Sequence, residues 1–288
     1  MTSASIARVV LWMTGALLAF SAMAVSIRML AGALTVMEIL ALRALLGLVV
    51  LSSLAALRPQ LRAAIATRQL PLHLFRNGLH LGASALWAWS LLLLPLATCF
   101  ALEFTAPAWT LLLAVPFLGE RLTVSRVGAV VLGLAGVLII LRPGIKTFDP
   151  SVLVILAAAC GLAITLIATK RLTRMDSTFT IIFWMSAIQL PLALLASDPL
   201  FALKLGREQI PAIIGIGVAG LAGHYCLTNA FQSGDAGVVV PLDFMRIPLI
   251  AVIGWWLYGE SLDVFVFLGA AVIVAGILWN LRSEAARA

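Results

Sequence analysis

Ten apolar stretches, each close to the length that crosses a lipid bilayer, follow one another with only short polar breaks between them: 8–28, 34–57, 71–94, 96–117, 124–142, 150–169, 177–196, 209–232, 236–258 and 263–281. A helix needs about 20 predominantly apolar residues to traverse a hydrocarbon core of ~30 Å, so ten spans use roughly 200 residues. The rest of the 288 residues suffice for nine loops and two tails and leave no room for a separate soluble catalytic module. Charged residues make up 11% and hydrophobic residues 63%, where a soluble domain is about a quarter charged. Helices are the natural spanning form, because each satisfies its own backbone hydrogen bonds in lipid. A β-barrel would show short segments of alternating polarity, and runs such as Val130 to Leu141 do not alternate.

The breaks carry helix punctuation. Arg58-Pro59 closes the second span and Arg142-Pro143-Gly144 the fifth, while Asp149-Pro150 supplies an N-cap and a first-turn proline for the sixth. Gly119-Glu120 and Gly259-Glu260 follow the fourth and ninth spans, where a glycine can end a helix in the left-handed region. The longest polar stretch, Arg58 to Gln69, reads as a short amphipathic loop. Arg8, an apolar run and Ala22-Met23-Ala24 imitate a signal peptide with a cleavage site. Cutting there would remove the first span and spoil the internal symmetry described next. Cys99, Cys160 and Cys226 lie in apolar stretches without CxxC spacing and read as buried, reduced and structural. No metal site, disulfide framework or cofactor is indicated.

The chain repeats itself at an offset of 140 residues, without a gap from position 70 onward. Pro71 meets Pro211, Leu81 meets Leu221 and Phe104 meets Phe244. Gly119-Glu120-x-Leu122 meets Gly259-Glu260-x-Leu262, and Arg142 meets Arg282. Nine of the 25 positions from 118 to 142 are identical, and apolar composition does not explain the Gly-Glu and arginine matches. The two units are 1–144 and 145–288. Each holds five spans, an odd number, so tandem copies must thread the membrane in opposite senses. The expected fold is an all-α integral membrane protein of ten transmembrane helices, two inverted five-helix repeats around a central cavity. Inverted repeats of this kind mark secondary transporters.

Charge fixes the orientation. With the N-terminus inside, the inner segments hold twelve Lys and Arg residues and the outer segments five. That excess places both termini in the cytoplasm. It also accounts for the net charge of +7 without a nucleic-acid partner.

Ionisable residues inside spans need a reason, since each costs at least ~2.5 kcal/mol at the bilayer centre. Glu103 and Asp243 are counterparts at the offset of 140, each about one-third of the way along its span. They can hold a solute ammonium group or a coupling proton, latch a gate, or form structural salt bridges. For Asp243 the structural partner is Arg246, at i+3 on the same face. Arg43 can meet a solute carboxylate or pair across helices with Glu103 or Asp243; Glu38, five residues earlier, lies on another face. His80, Ser84 and Trp87 share one face of the third span, and His224, Thr228 and Phe231 repeat that spacing on the eighth. Tyr225, Asn229 and Gln232 form a neighbouring stripe. Polar and aromatic groups on one face suit a pocket for an amphipathic solute; the alternatives are core histidines and tryptophans anchored at the lipid interface. Arg76-Asn77 opens the third span, where snorkelling is expected. Pro107 and Pro248 are candidate hinges, because each leaves a carbonyl without its helical donor. Gly215, Ala219 and Gly223, Ala129 and Gly133, and Ala271 and Ala275 allow close helix contact, within the chain or in a homodimer.

With these features the chain resembles the drug/metabolite transporter superfamily, specifically its EamA-type members. The resemblance rests on the duplicated blocks Pro116 to Thr123 and Trp256 to Asp263, each followed by a glycine-rich last span. It is closest to the YddG-type amino-acid exporters. It implies ten helices, cytoplasmic termini, a central cavity and export from the bacterial cytoplasm across the inner membrane. The solute would be an amino acid, aromatic or otherwise neutral, or a similar small metabolite. Partners would be membrane lipid and, if transport is coupled, protons; the protein would be a monomer or homodimer and not an enzyme. The competing readings are a passive channel or membrane sensor and an intramembrane hydrolase, for which His80 with Ser84 is the one hint. No G-x-S-x-G, H-E-x-x-H or P-loop supports the last.

Overall fold

A computed structural model of the chain describes residues 3–93, 102–103, 105–141, 151–258 and 264–287. Among them all regular structure is helical: α1 (Ser3–Leu30), α2 (Val36–Leu57), α3 (Pro59–Ala63), α4 (Leu70–Leu93), α5 (Ala106–Leu118), α6 (Val124–Leu141), α7 (Ser151–Leu172), α8 (Thr178–Leu194), α9 (Ile210–Ser233), α10 (Ala236–Leu242), α11 (Arg246–Tyr258) and α12 (Val264–Arg287). Among the described residues five helices are long and apolar enough to cross a membrane: Ile6–Leu30, Val36–Leu57, Val152–Leu172, Arg207–Ser233 and Ala236–Leu257. Shorter apolar helices accompany them at Trp109–Leu118, Val124–Gly136, Thr178–Leu194 and Ala271–Ser283. The chain is a multi-pass membrane protein. Its large exposed apolar side chains, such as Leu11, Val49, Leu112 and Val218, are those a lipid-facing surface requires.

Local chemistry sets the helix ends. Thr35 and Glu38 form a capping box at the start of α2, the threonine hydroxyl accepting from Glu38 N at 3.4 Å and Glu38 Oε2 accepting from Thr35 N at 2.7 Å. Ser177 Oγ accepts from Thr180 N at 3.1 Å and opens α8. Gly119, with φ 69°, closes α5 in the left-handed region, as its place in the sequence requires. Its counterpart Gly259, the breaks at Arg142-Pro143-Gly144 and Asp149-Pro150, and Cys99 lie outside the described residues. The stretch Arg58 to Gln69 is not all loop, because Pro59 starts the short helix α3. Helix α1 runs unbroken through Ala22-Met23-Ala24.

The ninth span departs from expectation. It is helical throughout but not uniformly α: α10 and α11 are joined by a 3-10 turn, Asp243–Met245. Proline explains the break. Pro248 has no N–H for the carbonyl of Phe244 and its ring crowds that carbonyl, so the preceding residues tighten into the three-residue pattern. In the fourth span Pro107 sits in the first turn of α5, where a missing N–H is tolerated.

The principal packing joins the two halves of the chain. Helix α1 packs on α9, α4 on α7, α2 on α8, and α6 on α12. Exchanging the halves carries the α1–α9 pair onto α7–α4 and returns the other two pairs to themselves. Small residues permit these approaches. A side chain at Gly223 would meet the Phe20 ring at 2.7 Å, and one at Gly133 the Phe244 ring at 2.6 Å. The stripes of small residues on α6 and α9 are therefore used within the chain, whereas Ala271 and Ala275 of α12 are exposed.

At one end of the bundle, polar bonds stitch the halves together. Asp176 Oδ2 accepts from Thr67 Oγ1 and meets His73 Nε2, both at 2.8 Å. Trp184 Nε1 donates to the Ile65 carbonyl at 2.9 Å, and Arg174 to the Leu118 carbonyl at 3.0 Å. Glu120 accepts the N–H groups of Ala236 and Gly237 at 3.0 and 3.2 Å, so the first half's Gly-Glu motif caps the second half's broken helix. Arg126 joins Glu120 to Asp235, at 3.3 and 3.1 Å. Glu120→Ala should therefore lower stability by about 0.5–2 kcal/mol, the usual worth of a cap. Glu120→Gln should recover part of it. Thermal unfolding of the detergent-purified variants measures both; equal melting temperatures for wild type and Ala would refute the cap.

Candidate functional site

A cavity of about 1190 Å³ of empty space, open solvent at its mouth included, lies among α1, α2, α4, α7, α9, α10 and α11. Its wall is mostly apolar, with Met13, Phe20, Met23, Leu40, Leu166 and Phe231 prominent. The polar groups in it form two clusters.

The first joins the halves through one arginine. Arg246 donates from Nη1 to Glu103 Oε1 at 3.0 Å and from Nη2 to Asp243 Oδ1 and Oδ2 at 2.6 and 2.8 Å. Trp87 Nε1 donates to the other oxygen of Glu103 at 2.6 Å. The Arg246 guanidinium also lies 5.2 Å from the centre of the Phe20 ring, within cation–π range. The break between α10 and α11 places Asp243 and Arg246 here, since the 3-10 turn lies between them. The i+3 pairing of Asp243 with Arg246 is present as the spacing indicated. The two carboxylates share one cation.

The second cluster is cationic and aromatic. Arg43 Nη2 donates to Gln189 Oε1 at 3.0 Å, and Gln189 Nε2 lies 2.8 Å from His80 Nδ1. The rings of His80 and His224 meet edge to face at 4.9 Å, and those of His224 and Phe20 at 5.3 Å. Arg76 Nε donates to Thr169 Oγ1 at 3.1 Å and its Nη1 to Asn77 Oδ1 at 2.6 Å. Arg76 does not snorkel: it is 3% exposed and lines the cavity, because Thr169 and Asn77 satisfy it inside the bundle. Arg43 pairs with neither Glu103 nor Asp243, since Arg246 occupies both.

The expected pocket face of α4 is present, with His80, Ser84 and Trp87 all lining the cavity; on α9, His224 and Phe231 do so. His80 is engaged by Gln189. Three sequence candidates stand elsewhere. Tyr225 is exposed and packs edge to face on Trp12 at 5.7 Å, one helical step round from His224. Asn229 bonds the Tyr225 carbonyl and Thr178 at 2.8 and 3.1 Å. Glu38 is buried in the first turn of α2, in its capping box, and bonds Lys204 Nζ at 2.7 Å. In the loop after α8, Lys204 is held above the usual lysine range by Glu38 and then Asp198, and Asp198 below the usual carboxylate range by the Leu200 N–H and Lys204. Pro107 and Pro248 flank the first cluster in sequence, and Pro248 is not among the cavity-lining residues. Cys160 and Cys226 are free and half-buried, not fully buried. Among the described residues no group of three His, Cys, Asp or Glu is placed to hold a metal ion.

No spacing in the sequence marks Gln189. It lies in α8 as a lone amide among apolar residues, four residues from neither histidine nor arginine, and only the α2–α8 and α4–α8 contacts bring it to Arg43 and His80.

The profile of the EamA-like transporter family matches residues 7–142 and again 149–282. A riboflavin transporter of Rhizobium johnstonii is 32% identical over 246 residues, 84% of this chain and 80% of its own. An S-adenosylmethionine uptake transporter of Rickettsia felis is 25% identical over 74% of this chain and 72% of its own. A pseudopaline exporter of Pseudomonas aeruginosa is 24% identical over 92% of this chain and 93% of its own. A crystal structure of 20% identical sequence superposes with a TM-score of 0.77 over 100% of this chain and 99% of that one.

Proposed function

We propose that this chain, which belongs to the EamA-like transporter family, is a secondary carrier that exports amino acids, or similar small metabolites, across the bacterial inner membrane by alternating access. The observation that carries the reading is the cavity spanned by Arg246, which ties Glu103 of the first half to Asp243 of the second inside a mostly apolar wall. An ionic bridge between halves, in a mostly apolar hollow, has the composition of a solute site rather than of a packed core.

Two inverted five-helix halves, 1–144 and 145–288, rock against each other, and both termini face the cytoplasm. On that orientation the stitched end of the bundle is the cytoplasmic one. Its bonds from Asp176, Arg174, Glu120 and Arg126 break when the cavity opens inward. Pro107 and Pro248 supply the bending points, and the Glu103–Arg246–Asp243 bridge rearranges as solute enters. The similarity to carriers named for uptake and for export makes direction a property to be measured. Export is favoured here by the sequence resemblance alone. Coupling to protons would run through the two carboxylates.

Counterflow in proteoliposomes tests the reading. Vesicles loaded with a neutral amino acid should accumulate the labelled compound against its gradient, and Glu103→Gln or Asp243→Asn should slow the exchange at least tenfold. If no amino acid or comparable metabolite exchanges, carriage of that class is wrong. Step-like currents in planar bilayers would replace the carrier with a channel.

A further inference from the structure

We infer that Arg43 and Arg76 form an anion site in the cavity, so that the transported solute carries a carboxylate or phosphate on an apolar body and needs no ammonium group. This rests on the carrier reading and narrows it.

The charges in the cavity do not balance. Arg43, Arg76 and Arg246 line it with Glu103 and Asp243, three arginines against two carboxylates among the described residues. Both carboxylates are engaged by Arg246. Arg43 and Arg76 are 6% and 3% exposed, and among the described residues neither has a carboxylate within ion-pair distance. Their partners are neutral: Gln189 for Arg43, Thr169 and Asn77 for Arg76. Two buried like charges without a counter-ion are costly, and a fold that keeps them on the wall of a cavity has a use for them.

The geometry suits an acid. A guanidinium carries five N–H donors, of which Arg43 uses one and Arg76 two on protein atoms. The fixed fork of donors matches the paired oxygens of a carboxylate or phosphate. Gln189 and Thr169 hold the two forks in place. Around them stand Phe20 and the edge-to-face rings of His80 and His224, surfaces for an apolar or aromatic body. A cationic group on the solute finds no free carboxylate, because Arg246 competes for both.

Thermal unfolding of the purified full-length protein, titrated with a matched set of compounds, tests this. The set is 3-phenylpropionate, phenyl phosphate, 3-phenylpropanamide, phenethylamine and riboflavin. The two acids should raise the melting temperature saturably, and the relative strength of the two separates a carboxylate site from a phosphate site. The amide, the amine and the uncharged flavin should not. Arg43→Gln and Arg76→Gln should each raise the acid concentration needed by at least tenfold. If either variant fails to fold, the wild-type ranking decides alone. Neither acid acting, or the amide or amine acting as strongly as the acids, overturns the anion site. Counterflow separates the two ideas: riboflavin exchange with no effect of the acids sinks the anion site and leaves the carrier, whereas acid binding without any exchange does the reverse.

Discussion

Arg246→Met should destabilise the protein by about 3–5 kcal/mol, the usual consequence of removing one member of a buried ion pair, and should abolish solute exchange. Arg246 is the sole cation bonded to either cavity carboxylate among the described residues. Without it Glu103 keeps the Trp87 indole at 2.6 Å, and Asp243 loses both of its bonds to the guanidinium. Two adjoining carboxylates would then lie in a low-dielectric hollow with no positive neighbour in contact. Arg246→Lys keeps the charge but cannot span both carboxylates with a planar fork, so an intermediate loss is expected. Glu103→Gln preserves one hydrogen bond to either Trp87 or Arg246 and removes the charge, so its stability loss should be the smaller. Denaturation of the purified variants together with counterflow measures both effects. An Arg246→Met protein as stable as wild type would remove the bridge from the account.

Gly136→Leu should be the most disruptive change away from the cavity. A Cβ at residue 136 would stand 2.6 Å from the Gly269 carbonyl oxygen and 2.6 Å from Ile273 Cγ1. The first of these is backbone and cannot rotate aside, so α6 and α12 must separate. Overpacking of that kind costs about 1–3 kcal/mol or more, and the pair is one of the contacts that join the halves. Gly82→Ala is the control. Nothing lies within 4 Å of the Cβ it would add, and it sits inside α4, so the helix should gain up to about 1 kcal/mol. Melting temperatures that move equally for the two substitutions would contradict the close approach.

Much of the fold can be read from the chain because lipid leaves few choices. The helical character of the described residues and the five long apolar helices follow from backbone hydrogen bonding in an apolar medium, and the glycine that ends α5 from its place after an apolar run. The Asp243–Arg246 pair is local, three residues apart on one turn, and so was visible. The face of α4 carrying His80, Ser84 and Trp87 was visible for the same reason, since helical spacing fixes which residues share a face. Gln189 and Arg76 were not, because their roles depend on which helices adjoin, and no spacing within one span reports that. Tyr225 shows the converse. It neighbours His224 in sequence, but one residue turns a helix by roughly 100°, enough to point it out of the cavity. Pro248 signals an interruption of the ninth span, and that interruption takes the form of a change of helix type at Asp243–Met245. Glu38 was singled out for its charge inside an apolar stretch, whereas the Thr35-x-x-Glu38 spacing beside it already described a capping box.

The central claim is that one cavity faces either side of the membrane in turn. Ala88 lines it and is small enough to accept a cysteine. In a background with Cys99, Cys160 and Cys226 replaced by serine, the Ala88→Cys protein can be treated with a membrane-impermeant maleimide in vesicles of either orientation. Labelling from the outside and from the cytoplasmic side, with a bound solute shifting the ratio of the two rates, is the expected result. Labelling confined to one side, unchanged by any solute that the protein exchanges, would contradict alternating access.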